Sequence, residues 1–148
     1  KILHLEKACE RILEHPSLPF PIKIAGKVDR IEERNGVIRI IDYKTGKVEK
    51  PNVTLKSWKG LTEEIKNDKI IQVLAYAFMY ENEANGKSIE AGIISFKNLK
   101  SGFLPFSFKE GKEENTTIDS TIFNDYLEQM VLLLNEILDE GKPFEEKI

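Results

Sequence analysis

The stretch Ile24 to Lys47, IAGKVDRIEERNGVIRIIDYKTGK, constrains this chain more than any other segment. Asn-Gly between two β-rich arms is the strongest short hairpin signal, because a two-residue type I′ turn needs positive φ at both central positions. The arms are predicted as Ile22 to Arg34 and Val37 to Lys44. A two-residue turn then pairs Arg34 with Val37, Ile31 with Ile40 and Asp29 with Asp42. Opposed side chains hold their Cβ atoms roughly 4.5–5.5 Å apart, where like charges are destabilising. Relief can come from a proton, an intervening cationic side chain or a bridging divalent cation. Strand alternation puts Lys44 on the face of Asp42 and Lys27 on the face of Asp29, with Tyr43 and Val28 on the other side. Spacing alone leaves two readings: a hard-cation site of the Mg²⁺ type, built on one or two carboxylates, and diagonal surface ion pairs Asp29–Lys44 and Asp42–Lys27 of little energetic weight.

Around the hairpin, residues 1–15 fit a helical stripe and a strand face equally well. The segment PSLPFP, Pro16 to Pro21, is a turn, since three prolines exclude helix and paired strand alike. From Gly46 to Gly60 the chain reads as a long, lysine-rich irregular loop. Thr62 is predicted to cap a helix with Glu63 and Glu64 in its first turn and an apolar stripe of Ile71, Leu74, Ala75 and Phe78, ending near Asn85-Gly86. SIEAGIISFKN reads as a strand and GFLPFSFK as its antiparallel partner, followed by a charged segment, Glu110 to Asn115. A final amphipathic helix runs from about Asp119 to Glu140, with core positions from Phe123 to Leu138 and a stop at Gly141 and Pro143.

At 148 residues, 41% hydrophobic and 32% charged, the chain is expected to form one α/β domain with its own core. A formal net charge of −3 provides no global footprint for a polyanion, so a nucleic-acid site must be a local concentration of Lys and Arg. The loop residues Lys47, Lys50, Lys56 and Lys59 with Trp58 are such a cluster, suited to track a strand by charge and stacking, or else a solvated loop with one anchoring Trp. The KTGK run lacks the order of glycines that a phosphate loop needs. A single cysteine, Cys9, excludes an intrachain disulfide, a four-thiolate zinc site and an iron–sulfur cluster within this chain. No apolar run approaches the ~18 residues of a membrane span, so a cytoplasmic protein without membrane contact is expected. Lys at position 1 and the uncapped opening KILHLEKACERILE suggest a piece of a longer polypeptide.

Three linked segments, GKVDRIEE, IIDYKTGK and QVLAYA, together resemble the core of the PD-(D/E)XK nuclease superfamily, specifically its RecB-like branch. Gly26, Asp29 and Arg30 match a G-x-x-D-R strand; Asp42, Tyr43, Lys44, Thr45 and Gly46 match a D-Y-K-T-G strand end; Gln72 and Tyr76 match a Q-x-x-x-Y helix. The resemblance covers about residues 5 to 97. It implies a restriction-endonuclease-like α/β fold, a mixed sheet built on the hairpin meander and flanked by two long helices. It implies that Asp29 and Asp42 ligate Mg²⁺ or Mn²⁺ with the Tyr43 carbonyl, and that Glu6 supplies a further acidic ligand. Lys44 would then activate water or stabilise charge on the phosphate, while Gln72 and Tyr76 orient Lys44 and touch DNA. Many relatives carry a histidine on an earlier helix, a place that His4 does not fill.

The leading expectation is a Mg²⁺- or Mn²⁺-dependent DNA exonuclease domain of a larger repair or recombination protein, with DNA and helicase-like or repair-associated domains as partners. The alternatives are a catalytically silent version of the fold that binds nucleic acid or a protein, and an unrelated small interaction domain.

Overall fold

Asn35 and Gly36 adopt φ of 53° and 80°, and the hairpin closes in the expected register. Strand β2 (Ile22–Arg34) and strand β3 (Val37–Lys44) pair antiparallel from Arg34↔Val37 to Arg30↔Ile41. The structure is a computed structural model that describes residues 1–139. The ambiguous opening segment is strand β1 (Ile2–Leu13), antiparallel to β2, with Leu13 opposite Ile22 after the proline turn. Its burial of Cys9 and Leu13, four residues apart, satisfies the strand alternation that the helical reading competed with.

On its other side β3 pairs parallel with β5 (Ser88–Ser95), from Val37↔Ser88 to Lys44↔Ser95. A parallel neighbour requires a crossover, and this one carries helix α1 (Asp68–Tyr80). Strand β6 (Phe103–Pro105) completes a five-stranded mixed sheet in the order β1-β2-β3-β5-β6. Helix α1 lies against β1, β2, β3 and β5. Leu74 and Ala77 from the helix are sealed from solvent, as are Val28, Ile31 and Ile93 from the sheet. Helix α2 (Ser120–Leu138) packs beside α1, where the Tyr126 hydroxyl donates to the Ile71 carbonyl at 3.1 Å. It starts where expected, and Asp119 caps it, Oδ1 accepting from the Ile122 N–H at 3.0 Å. Two helices and a mixed sheet built on the hairpin are therefore the observed architecture.

Several local expectations are corrected. Thr62 caps nothing: Leu61–Glu63 and Ile65–Asn67 are short 3₁₀ turns, and α1 begins only at Asp68. Burial of Leu61 and Asn67 holds those turns inward, and the buried face of α1 includes Ile70, Val73 and Met79 beside the expected Leu74 and Phe78. GFLPFSFK is not one strand but two. Gly92 faces Pro105 so closely that any Cβ on it would collide with the Leu104 carbonyl oxygen. The chain leaves the sheet at Phe106, whose N–H donates to Ala91, and continues as β7 (Ser107–Glu110). The expected irregular loop after Gly46 contains β4 (Thr54–Leu55), parallel to β7. The charged segment forms β8 (Glu113–Asn115), antiparallel to β7. These three strands make a second small sheet. In α2, Ile137 is exposed instead of joining the core stripe. The stop expected at Gly141 and Pro143 lies outside the described residues.

Strict alternation also fails at one place. Val28 and Ile31 are both wholly buried although three residues apart, and on β1 His4 meets Tyr80 while Lys7 meets Glu83. Between them Glu6 takes φ 48°, a left-handed conformation, although the pairing with β2 keeps one register from Leu5↔Arg30 to Lys7↔Val28 and shifts only between Ile2 and His4.

Candidate active site

The antiparallel ladder of the hairpin stops one pair short of the two aspartates. Past Arg30↔Ile41, the Asp29 carboxylate replaces a backbone acceptor, Oδ2 taking the Tyr43 N–H at 2.8 Å. That bond draws Asp29 toward the end of β3, where Asp42 is buried at 5% exposure. Burial is the main force raising the Asp42 carboxyl above the ordinary carboxylate range. Lys44 pulls it down, and the neighbouring Asp29 adds to the rise. Desolvation outweighs the nearby ammonium.

Lys44 Nζ lies 2.9 Å from Asp42 Oδ2 and donates to Gln72 Oε1 at 2.7 Å. Gln72 Nε2 in turn donates to the Tyr76 hydroxyl at 3.0 Å. Lys44, Gln72 and Tyr76 thus form a chain from the strand end to the α1 face, and the i, i+4 spacing of Gln72 and Tyr76 is what aligns them. Burial pushes the Tyr76 hydroxyl up, keeping it a neutral phenol. Gly26 makes room for that ring: a Cβ there would stand 3.2 Å from Tyr76 Cε1 and from Met79 Cε. The Tyr43 side chain lies apart from this chain, stacked on Phe96 with centroids 5.4 Å apart, while its backbone sits between the aspartates.

The close approach of Lys44 to Asp42 is a contact of charges without hydrogen-bond geometry, so Asp42 Oδ2 is buried with no hydrogen-bond donor. Two neighbouring carboxylates, one of them buried, are a donor set that suits a hard divalent cation. Asp29 and Asp42 therefore fit the metal that the resemblance implies. Among the described residues no group of three or more His, Cys, Asp or Glu side chains is gathered. Glu6 lies level with Asp29, between the pairs Leu5↔Arg30 and Lys7↔Val28, but its side chain is exposed and 3.8 Å from Lys27. The diagonal pairs Asp29–Lys44 and Asp42–Lys27 do not form, since Lys44 takes Asp42 and Lys27 takes Glu6.

The loop residues divide. Lys47 pairs with Glu49 at 3.1 Å, Trp58 stacks on Phe108 with centroids 5.6 Å apart, and Lys59 is exposed. Two positioning residues escaped the sequence reading. The Ser95 hydroxyl donates to the Gly46 carbonyl at 2.6 Å, and Asn98 Nδ2 donates to the Val48 carbonyl at 2.6 Å. Both tie the loop after Lys44 to the end of β5. Their only signal was position just beyond the C-terminal end of an apolar strand, where open α/β sheets place ligand loops.

No curated protein matches the chain. The solved structure of SSO0001 is similar at 20% identity and a TM-score of 0.38, over 87% of this chain and 50% of that one, so the chain spans half of that structure's length. A family model, the PD-(D/E)XK nuclease superfamily, matches residues 1–147. That match takes in both aspartates, Lys44 and the Gln72–Tyr76 pair, and the chain belongs to the PD-(D/E)XK nuclease superfamily.

Proposed function

We propose that this chain is a divalent-metal-dependent DNA nuclease domain of the RecB-like branch, working as an exonuclease within a larger, cytoplasmic repair or recombination protein. The observation that carries the reading is the position of the Lys44 ammonium, 2.9 Å from Asp42 and 2.7 Å from Gln72, next to a second carboxylate on Asp29. A fixed ammonium beside a carboxylate pair is what phosphodiester hydrolysis requires of a protein: charge aimed at the phosphate before the reaction begins.

Asp29, Asp42 and the Tyr43 carbonyl would hold Mg²⁺ or Mn²⁺, with Glu6 at the rim of the site. Once bound, the cation supplies positive charge against the non-bridging oxygens and makes water a better nucleophile. Lys44 stabilises the charge that develops on the phosphate. Gln72 fixes the position of Lys44, and Tyr76 fixes Gln72 and offers its hydroxyl to an adjoining phosphate. Helicase-like or repair-associated domains of the parent protein would deliver the strand.

The test is degradation of linear DNA with Mg²⁺ or Mn²⁺ and with EDTA, using wild type, Asp42→Ala and Lys44→Ala. Expected are metal-dependent cleavage by wild type and its loss in both variants with folding intact by circular dichroism. Cleavage by Asp42→Ala at the wild-type rate would falsify the proposal, and DNA binding without cleavage even in Mn²⁺ would favour a silent fold. A covalently closed circle that survives while linear DNA is lost identifies the exonuclease.

A further inference from the structure

The segment between β3 and α1 does more than link the two halves of the candidate site. Together with β7 it walls a cavity of about 740 Å³ with five lysines: Lys50, Lys56, Lys59 and Lys66 from the segment and Lys109 from β7. Two glutamates share the wall, and each is already engaged: Glu114 with Lys50 at 3.0 Å and Glu64 with Lys66 at 3.1 Å. Lys56, Lys59 and Lys109 have no carboxylate within ion-pair distance among the described residues. A chain with net charge −3 thus sets five lysines against two glutamates in one concavity, an excess of three positive charges. Such a concavity focuses its field on an anion.

The walls are built. Ser107 Oγ donates to Glu114 Oε1 at 2.8 Å and lies 3.3 Å from Thr54 Oγ1, so β4, β7 and β8 meet through side chains at the cavity wall. Trp58, between Lys56 and Lys59, is held by its stack on Phe108 and its contact with Phe106. The second sheet therefore holds Lys56, Lys59 and Lys109 around one space.

Position decides the ligand. The cavity wall ends at Asn67, the N-cap of α1, and Gln72 is five residues further, or about 7.5 Å of helix rise. Successive phosphates on one strand of a duplex are about 3.4 Å apart along the axis. A strand with one phosphate at Lys44 reaches the cavity within a few nucleotides.

We infer that the lysine-walled cavity is a second nucleic-acid subsite, in which Lys56, Lys59 and Lys109 take the phosphodiester backbone of the same strand that Lys44 engages. The inference rests on the nuclease reading and extends it to residues outside the motif. It keeps Lys56 and Lys59 of the expected loop cluster, adds Lys109, and leaves out Lys47 and Trp58, which are engaged with Glu49 and Phe108.

The experiment compares wild type with a Lys56→Ala/Lys59→Ala/Lys109→Ala triple variant, both checked for equal melting temperature. Binding of a long fluorescent single-stranded oligonucleotide is measured in EDTA across salt concentrations, and hydrolysis of bis(p-nitrophenyl) phosphate, too small to span both places, is measured with Mn²⁺. Three lost contacts at roughly 0.7 each should reduce the slope of log K against log salt by about 2, with small-diester hydrolysis unchanged. An unchanged slope, in a wild type that binds and cleaves DNA, overturns this inference and leaves the nuclease reading standing. A wild type that neither binds nor cleaves DNA overturns both. Displacement of the oligonucleotide by a mononucleotide at equal concentration also overturns the inference, because the cavity would then be a small-ligand pocket.

Discussion

Gln72 grips Lys44 and Tyr76 with its two amide atoms, accepting from Lys44 Nζ at 2.7 Å and donating to the Tyr76 hydroxyl at 3.0 Å. The amide has one orientation that satisfies both neighbours. Gln72→Ala should therefore release the ammonium from its place, and a misplacement near 1 Å costs up to about 10²-fold in rate. Steady-state kinetics on an oligonucleotide should show the loss in kcat, with KM changed far less. An equal loss in affinity alone would make Gln72 a DNA contact instead.

Asp42 should be a burden to the metal-free fold. Its carboxyl is raised mainly by burial, so the native state holds that proton more tightly than the unfolded chain. The stability this confers is complete below about pH 3.9, the unfolded value, and is lost as pH rises through the raised native value. At neutral pH Asp42→Asn should thus melt higher than wild type in EDTA, and the gap should shrink toward pH 4. Mg²⁺ or Mn²⁺ should raise the wild-type melting temperature by mass action and leave Asp42→Asn unmoved. A wild type indifferent to both ions in thermal melts would count against a cation site.

Gly92 is fixed by its neighbour across the sheet. A methyl group there would run into the Leu104 carbonyl oxygen and stand 2.7 Å from Pro105 Cα. Backbone cannot swing aside as a side chain can. Gly92→Ala should cost about 3 kcal/mol, the upper range for overpacking, read as a lower urea midpoint with unchanged slope.

Gly26 tells a different story, because what a methyl would meet there are the flexible tips of Met79 and Tyr76 at 3.2 Å. Gly26→Ala should keep stability within about 1 kcal/mol, since a strand gains propensity from the change. It should still lower kcat about 10-fold by pushing the Tyr76 ring that steadies Gln72. Stability and activity measured on one preparation separate the two effects.

Cys9 should behave as a small apolar side chain. It is buried on the α1 side of β1, and burial raises its thiol above the ordinary value. Labelling by a disulfide reagent at neutral pH should be slow in the native state and rapid in urea.

Much of this site was legible because its first half is local. Asn35-Gly36 dictates the turn and the turn dictates the register, which carries the ladder to Arg30↔Ile41, one pair short of the aspartates, where the Asp29–Tyr43 bond takes over. Gln72 and Tyr76 were legible as one helix face, but their meeting with Lys44 depends on a parallel crossover that no spacing rule measures. What stayed hidden was set by distant packing. Thr62 and two glutamates imitate a helix start, yet burial of Leu61 and Asn67 holds that stretch in 3₁₀ turns. The split of GFLPFSFK follows from the contact of Gly92 with Pro105 and from a second sheet whose strands are far apart in sequence. The left-handed Glu6 carries no residue signal at all, since glutamate has no special liking for that conformation.

The parallel pairing of β3 with β5 also fixes the order in which the site can be assembled. The Asp29–Tyr43 bond closes across 14 residues and a preformed turn, whereas the Lys44–Gln72 bond closes across 28. Hairpins form in about 1–10 μs, while parallel crossovers wait on loop closure that only later contacts reward. A nascent chain therefore brings its two carboxylates together before it has the helix that steadies the lysine beside them. Until α1 docks, the aspartates repel each other without the ammonium held between Asp42 and Gln72, so docking of the helix is the step that arms the site.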